Sequence, residues 1–112
     1  MQLHQQEQLS PAIRFSMKDH EQKEIARGYL YIIQNDLHPT PYGLVEDVFV
    51  EESARGQGVG TQMMQAIIAE AKKQQCYKLI LQSRYKNTRA HELYIRLGFV
   101  DHGKNFRMDI ET

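Results

Sequence analysis

The chain has one cysteine, Cys76, no tryptophan, three prolines and no apolar run longer than a few residues. A lone cysteine excludes an internal disulfide framework and a multi-cysteine zinc site. The short apolar runs exclude a membrane-spanning helix, and the polar stretch Met1 to Gln8 has no charged-then-apolar leader pattern. Charge of one sign is also missing: 14 Lys and Arg balance 14 Asp and Glu. A domain devoted to nucleic acid is usually basic, so no nucleic-acid partner is expected. The five histidines, His4, His20, His38, His91 and His102, fall at no metal-ligand spacing. What is present is ordinary: 112 residues, 41% apolar and 25% charged, enough for one modest core. The expectation is a cytoplasmic, metal-free α/β protein with a polar tail at 1–10 and a single domain over 11–112.

Periodicity divides the chain in two. Ile13, Phe15 and Met17 alternate with Arg14, Ser16 and Lys18, the mark of a half-buried strand. Ile25 to Ile33 is β-branched and aromatic and predicts a longer strand, and Leu44 to Val50 a third. Short loops make these an antiparallel meander. From Val59, the residues Met63, Met64, Ile67, Ile68 and Ala71 fall at helical spacing, and the helix ends near Gln74 or Gln75. Tyr77 to Leu81 is a fourth strand; strand, helix and strand in succession form a βαβ unit with parallel strands. A second helix follows, capped by Asn87 or Thr88, with Ala90, Leu93, Tyr94 and Leu97 as its apolar stripe. Gly98 stands where a left-handed cap belongs, with Phe99 folding back over the last turn. Phe99 to His102 and Asn105 to Ile110 are expected to close the chain as a hairpin. The fold class is α/β (α+β) with a mixed sheet.

Arg55-Gly56-Gln57-Gly58-Val59-Gly60, between the third strand and the first helix, is the most informative segment. Three glycines in five residues allow a tight turn and a close backbone approach to a ligand. N–H groups at the start of a helix lack intrahelical partners, and with the helix dipole and Arg55 they form an anion site suited to phosphate. A tight turn that binds nothing is the plainer alternative. A Walker-type loop is excluded because Val59-Gly60-Thr61 offers no lysine, and the spacing G-x-G-x-G is not the dinucleotide fingerprint.

Arg55-x-x-Gly58-x-Gly60, after a strand ending in Val50, resembles the acetyl-CoA pyrophosphate motif of the GNAT superfamily of N-acyltransferases. Asn87-x-x-Ala90-x-x-x-Tyr94-x-x-Leu97-Gly98-Phe99 resembles that family's second signature, and one helix and one strand lie between the two. The segment Glu46 to Val50 is similar to the diamine and thialysine acetyltransferase branch. The resemblance implies acetyl-CoA as co-substrate and no metal. It implies a third and fourth strand splayed apart at one end, with the pantetheine arm in the gap, paired to the backbone of Val48 and Val50. The N–H groups of Gly56, Gln57, Gly58, Val59 and Gly60 would hold the pyrophosphate. Asn87 would bond the pantetheine or simply cap its helix.

The implied chemistry is direct attack of a neutral amine on the thioester in a ternary complex. By this resemblance Tyr94 is the general acid, although its apolar stripe also suits plain packing. Glu46 is the candidate base: alternation puts it on one strand face with Leu44, Val48 and Val50, an exposed edge glutamate being the alternative. Asp47 is the reserve. Tyr29 and Tyr31 line a substrate pocket or pack across strands, and Cys76 packs in the core. The family normally begins with a strand and two helices that wall the amine site, whereas about twelve residues precede the first strand here. The amine side is then open, suiting a small-molecule or a peptide or protein amine, or a homodimer completes it. The rival reading is a non-catalytic acyl-CoA-binding or interaction module.

Overall fold

The computed structural model describes residues 1–111 and divides the chain into two compact units, Met1–Leu81 and Gln82–Thr112. The first unit holds four strands, β1 (Ala12–Lys18), β2 (Glu24–Ile33), β3 (Tyr42–Val50) and β4 (Leu79–Leu81), and the helix α1 (Val59–Lys73). The sheet order is β1-β2-β3-β4. The meander pairs antiparallel, Ile13 against Leu30 and Leu30 against Val45, and β4 joins β3 in parallel. The α1 crossover makes that last pairing possible, since a parallel neighbour cannot be reached through a tight turn.

One sheet face meets α1. Ala26, Leu30 and Ile32 of β2 and Val45 of β3 are buried with Val59, Met63, Met64, Ile67 and Ala71 of α1, so the helical period of 3.6 meets the strand period of 2 in one core. Leu30, Met63, Met64 and Ile67 are sealed from solvent, each contributing roughly 1.5–3 kcal/mol of hydrophobic stabilisation. Cys76 borders this core, half-buried, with its Sγ 3.6 Å from where a Cβ on Gly43 would stand; burial pushes its thiol up, away from the thiolate.

The C-terminus of α1 closes without glycine. Gln75 N–H donates to the Lys72 carbonyl (3.0 Å) and Cys76 N–H to the Ala71 carbonyl (3.0 Å), a Schellman motif that requires a left-handed residue. That residue is Gln75, at φ 64°. Gln75→Gly is therefore expected to stabilise the protein by about 0.5–1 kcal/mol, the relief of Cβ strain being partly offset by extra freedom of the unfolded chain. A higher urea midpoint checks this; an unchanged or lower one contradicts it.

The second unit contains α2 (Thr88–Arg96). Asn87 is its N-cap, with the side chain accepting from Ala90 N–H at 3.4 Å. Its far end is a second Schellman motif: Gly98 at φ 105°, Gly98 N–H on the Ile95 carbonyl (3.0 Å) and Phe99 N–H on the Tyr94 carbonyl (2.9 Å). Ala90, Leu93, Tyr94 and Leu97 are its half-buried face, as the stripe predicts.

The expected hairpin is a correction: residues 99–111 form no strand, and Val100, Phe106, Met108 and Ile110 are exposed. An isolated two-stranded hairpin is marginal without a further strand or a helix face to bury its apolar side. The fourth strand is also shorter than Tyr77 to Leu81. Tyr77 packs tilted against His38, with ring centroids 4.5 Å apart, and its N–H donates to the Pro41 carbonyl (2.9 Å) ahead of the ladder. No helix among the described residues is long and apolar enough to cross a membrane.

Candidate active site

β3 and β4 part company early. Their ladder runs through Gly43–Leu79, Leu44–Ile80 and Val45–Leu81 and stops there, while β3 continues through Glu46 to Val50. Five residues of β3, about 17 Å at strand rise, keep one edge without a strand partner among the described residues. Glu51 N–H donates to the Ile25 carbonyl at 2.8 Å, so antiparallel alternation turns the main-chain groups of Val50, and two residues back those of Val48, toward that open edge. The Val50 carbonyl is taken up there by Arg55 Nε at 3.0 Å.

This edge carries a bulge. Arg27 pairs with Phe49 and Tyr29 with Glu46, so Asp47 and Val48 together oppose the single residue Gly28. Asp47 absorbs the extra residue at φ 52°, a left-handed conformation that aspartate tolerates better than most. A Cβ placed on Gly28 would stand 3.4 Å from Val48 Cγ2 and 3.1 Å from Ile67 Cδ1, which puts Val48 on the α1 face.

The bulge overturns one expectation. Glu46 shares a face with Leu44 but not with Val48 and Val50, because the inserted residue reverses the alternation between them. Glu46 lies on the face away from α1, opposite Tyr29. There it lines a shallow open depression of about 280 Å³ with Ser10, Tyr31, Ile33, Leu44 and Asp47. Tyr31 thus borders the depression, while Tyr29 stacks beside it at 6.3 Å.

After β3, one turn of 3₁₀ helix (Glu52–Ala54) leads into the glycine turn. Gly56 and Gly58 are left-handed, at φ 78° and 79°, and Gly58 is the N-cap of α1 with no side-chain cap. Among the described residues no N–H from Gly56 through Gly60 has a hydrogen-bond acceptor. Nothing lies within 4 Å of a Cβ built on Gly56 or Gly58. Left-handed residues beside a helix N-terminus turn successive N–H groups into one concavity, at the positive end of the helix dipole. Arg55 stands at the entry to this turn. Its guanidinium sits 5.9 Å from the Phe49 ring centroid while Nε clips the strand end, so its charge stands at the close of β3.

In the second unit, Tyr94 is half-buried, and burial raises its phenol above the ordinary value; it is fully protonated at neutral pH and able to donate. The Schellman motif at Gly98 sets Phe99 edge-on to it, centroids 6.0 Å apart and rings at 65°, which fixes the tyrosine ring. Asn87 caps α2 through its side-chain oxygen.

Sequence reasoning passed over Arg27. It faces the Phe49 ring at 4.8 Å and makes no ion pair among the described residues. Arg14, on the same face, is closed instead: Glu24 takes it in two hydrogen bonds, 2.6 and 3.0 Å. The Arg14 guanidinium, then the Ser16 hydroxyl, hold the Glu24 carboxyl down to about 2. No group of three or more His, Cys, Asp or Glu among the described residues is placed to hold a metal.

A mixed sheet in which β3 outruns its parallel neighbour and leads into a glycine-rich helix N-terminus places the chain in the α/β class. The chain belongs to the acetyltransferase (GNAT) family, whose model matches residues 2–99. It is 36% identical over 84 residues to "Probable glucosamine 6-phosphate N-acetyltransferase 2" of Oryza sativa subsp. japonica, covering 74% of this chain and 49% of that one. It is 35% identical over 68 residues to the glucosamine 6-phosphate N-acetyltransferase of Trypanosoma brucei brucei, covering 61% and 44%. The chain thus spans about half the length of these curated relatives. Among solved structures it resembles a Trypanosoma brucei acetyltransferase, with a TM-score of 0.82, 25% identity and coverage of 88% of this chain and 69% of that one. The glucosamine-6-phosphate N-acetyltransferase of Arabidopsis thaliana shares the fold at a TM-score of 0.79 and 22% identity, covering 89% and 67%.

Proposed function

We propose that the chain transfers an acetyl group from acetyl-CoA to a primary amine by direct attack in a ternary complex. The observation that carries this reading is the open edge of β3 leading into five unpartnered N–H groups. Acetyl-CoA has the matching shape: an amide-bearing pantetheine arm that pairs with the outward groups of Val48 and Val50 as an added strand, and a pyrophosphate for the turn Gly56 to Gly60.

In the proposed reaction Glu46 accepts a proton from the acceptor ammonium, directly or through water, and the freed amine attacks the thioester carbonyl carbon. The oxyanion is stabilised by backbone N–H near Val48. The C–S bond then breaks, the electron pair leaves with sulfur, Tyr94 protonates the thiolate, and the second proton shed by the acylated nitrogen returns through water to the Tyr94 phenolate. Metal plays no part in these steps. The two curated relatives are named for glucosamine 6-phosphate, and this makes an amino sugar phosphate the first acceptor to try.

The test is thiol release from acetyl-CoA that depends on added amine, measured across pH for the chain and for Glu46→Gln. The variant is expected to lose at least about tenfold in kcat/KM. Superimposable profiles would remove Glu46 from the mechanism. Acetyl-CoA binding without amine-dependent release would leave a binding module.

A further inference from the structure

We infer that Arg27 is a phosphate-binding residue for the acceptor, so that the acceptor is an amine bearing a phosphate; this rests on the acetyl-transfer reading. Two arginines share one phenyl ring, with the Arg27 guanidinium 4.8 Å and that of Arg55 5.9 Å from the Phe49 centroid. A guanidinium laid over an aromatic face is held in place while its N–H rim stays free for a planar anion. Arg55 spends its Nε on the Val50 carbonyl, whereas Arg27 makes no hydrogen bond or ion pair among the described residues. Its neighbour on the face, Arg14, is neutralised by Glu24. Arg27, whose charge also reaches the Glu24 carboxyl from farther off, is therefore the arginine of this face with its whole N–H rim unspent.

Its place gives the charge a use. Arg27 stands opposite Phe49, two residues along β2 from Tyr29, which stands opposite Glu46. A step of two residues is about 7 Å. An ammonium at Glu46, in the depression beside Tyr31, and a phosphate at Arg27 would satisfy both ends of one small molecule along a single sheet face. Phosphate also occurs on CoA itself. The nucleotide source is disfavoured by position, since the pyrophosphate is met by the unpartnered N–H groups and Arg27 lies on the Glu46 face; the CoA 3′-phosphate is the source that the test separates.

Calorimetry in the presence of saturating CoA separates the sources, with glucosamine 6-phosphate and glucosamine as acceptor probes, and CoA against dephospho-CoA in a parallel arm. The chain is expected to bind the phosphorylated sugar at least about tenfold more tightly than the plain one, a factor that a charge-assisted hydrogen bond supplies. Arg27→Gln should erase that preference and leave CoA and dephospho-CoA affinities unchanged, while Arg27→Lys should restore part of it. Equal affinity for the two sugars, a preference that survives Arg27→Gln, or a loss confined to CoA over dephospho-CoA would each overturn the assignment. Binding is read apart from turnover, so absent thiol release with every amine would sink acetyl transfer without imitating any of these results.

Discussion

Replacing Tyr94 by phenylalanine is expected to leave acetyl-CoA affinity within about twofold and to lower turnover at least about tenfold, the lower end of what a positioned general acid contributes. The substitution separates chemistry from packing because of how the ring is held. Phe99 meets Tyr94 edge-on at 6.0 Å, and the cap that brings it there uses main-chain groups, Phe99 N–H on the Tyr94 carbonyl and Gly98 N–H on the Ile95 carbonyl. Phenylalanine keeps the ring, that contact and the main chain, and removes only the hydroxyl. The melting temperature should therefore change little, while the leaving thiolate loses its proton donor. Burial already raises the phenol, so the wild-type group is in its donating form through neutral pH and no loss of donor is expected until well into the alkaline range. Thiol release at saturating amine, with binding followed by calorimetry, checks both halves. Unchanged turnover would make Tyr94 a packing residue of the Schellman cap.

The parts of this site that were legible in the residues are those where one residue type alone permits the geometry. Gly58 and Gly98 read correctly as turn and cap because left-handed backbone is cheap only for glycine. The strands and α1 were legible because their burial follows simple periods. The bulge at Asp47 was not. Leu44, Glu46, Val48 and Val50 alternate as cleanly as in an uninterrupted strand, and the face reversal arises from β2 offering one residue, Gly28, against two. An aspartate inside an apolar strand was the available signal, since it is among the residues that enter the left-handed region. Gln75 shows the same blindness at the end of α1, where glutamine occupies a glycine conformation. Arg27 went unseen because its partner ring, Phe49, is 22 residues away in the chain and meets it only through the ladder. The hairpin failed for the opposite reason: alternation in 105–110 is real, but a strand also needs a partner, which local pattern does not supply.

Gly58→Val is expected to weaken acetyl-CoA binding by at least about tenfold while lowering stability by only about 1–2 kcal/mol. Gly58 sits at φ 79° and caps α1, a conformation in which a β-branched residue is an outlier. A Cβ there meets nothing within 4 Å, so no core clash accompanies the change, and the Gly58 carbonyl can still serve Gln62 N–H, now at 3.0 Å, if the helix start holds. What cannot hold is the convergence of N–H groups, because valine drives φ negative and turns the Gly58 and Val59 amides away from a common point. An anion bound by several such amides loses more than one hydrogen bond at once, each worth about 1.5–3 kcal/mol when the partner is charged, which exceeds the conformational penalty on the fold. Calorimetric titration with acetyl-CoA beside a urea melt distinguishes the two costs. Affinity kept at the wild-type level would mean that the turn only connects strand to helix, and the pyrophosphate would have to be held elsewhere. A large affinity loss with a near-native melt would place the anion on this backbone, because no side chain at position 58 is removed by the change.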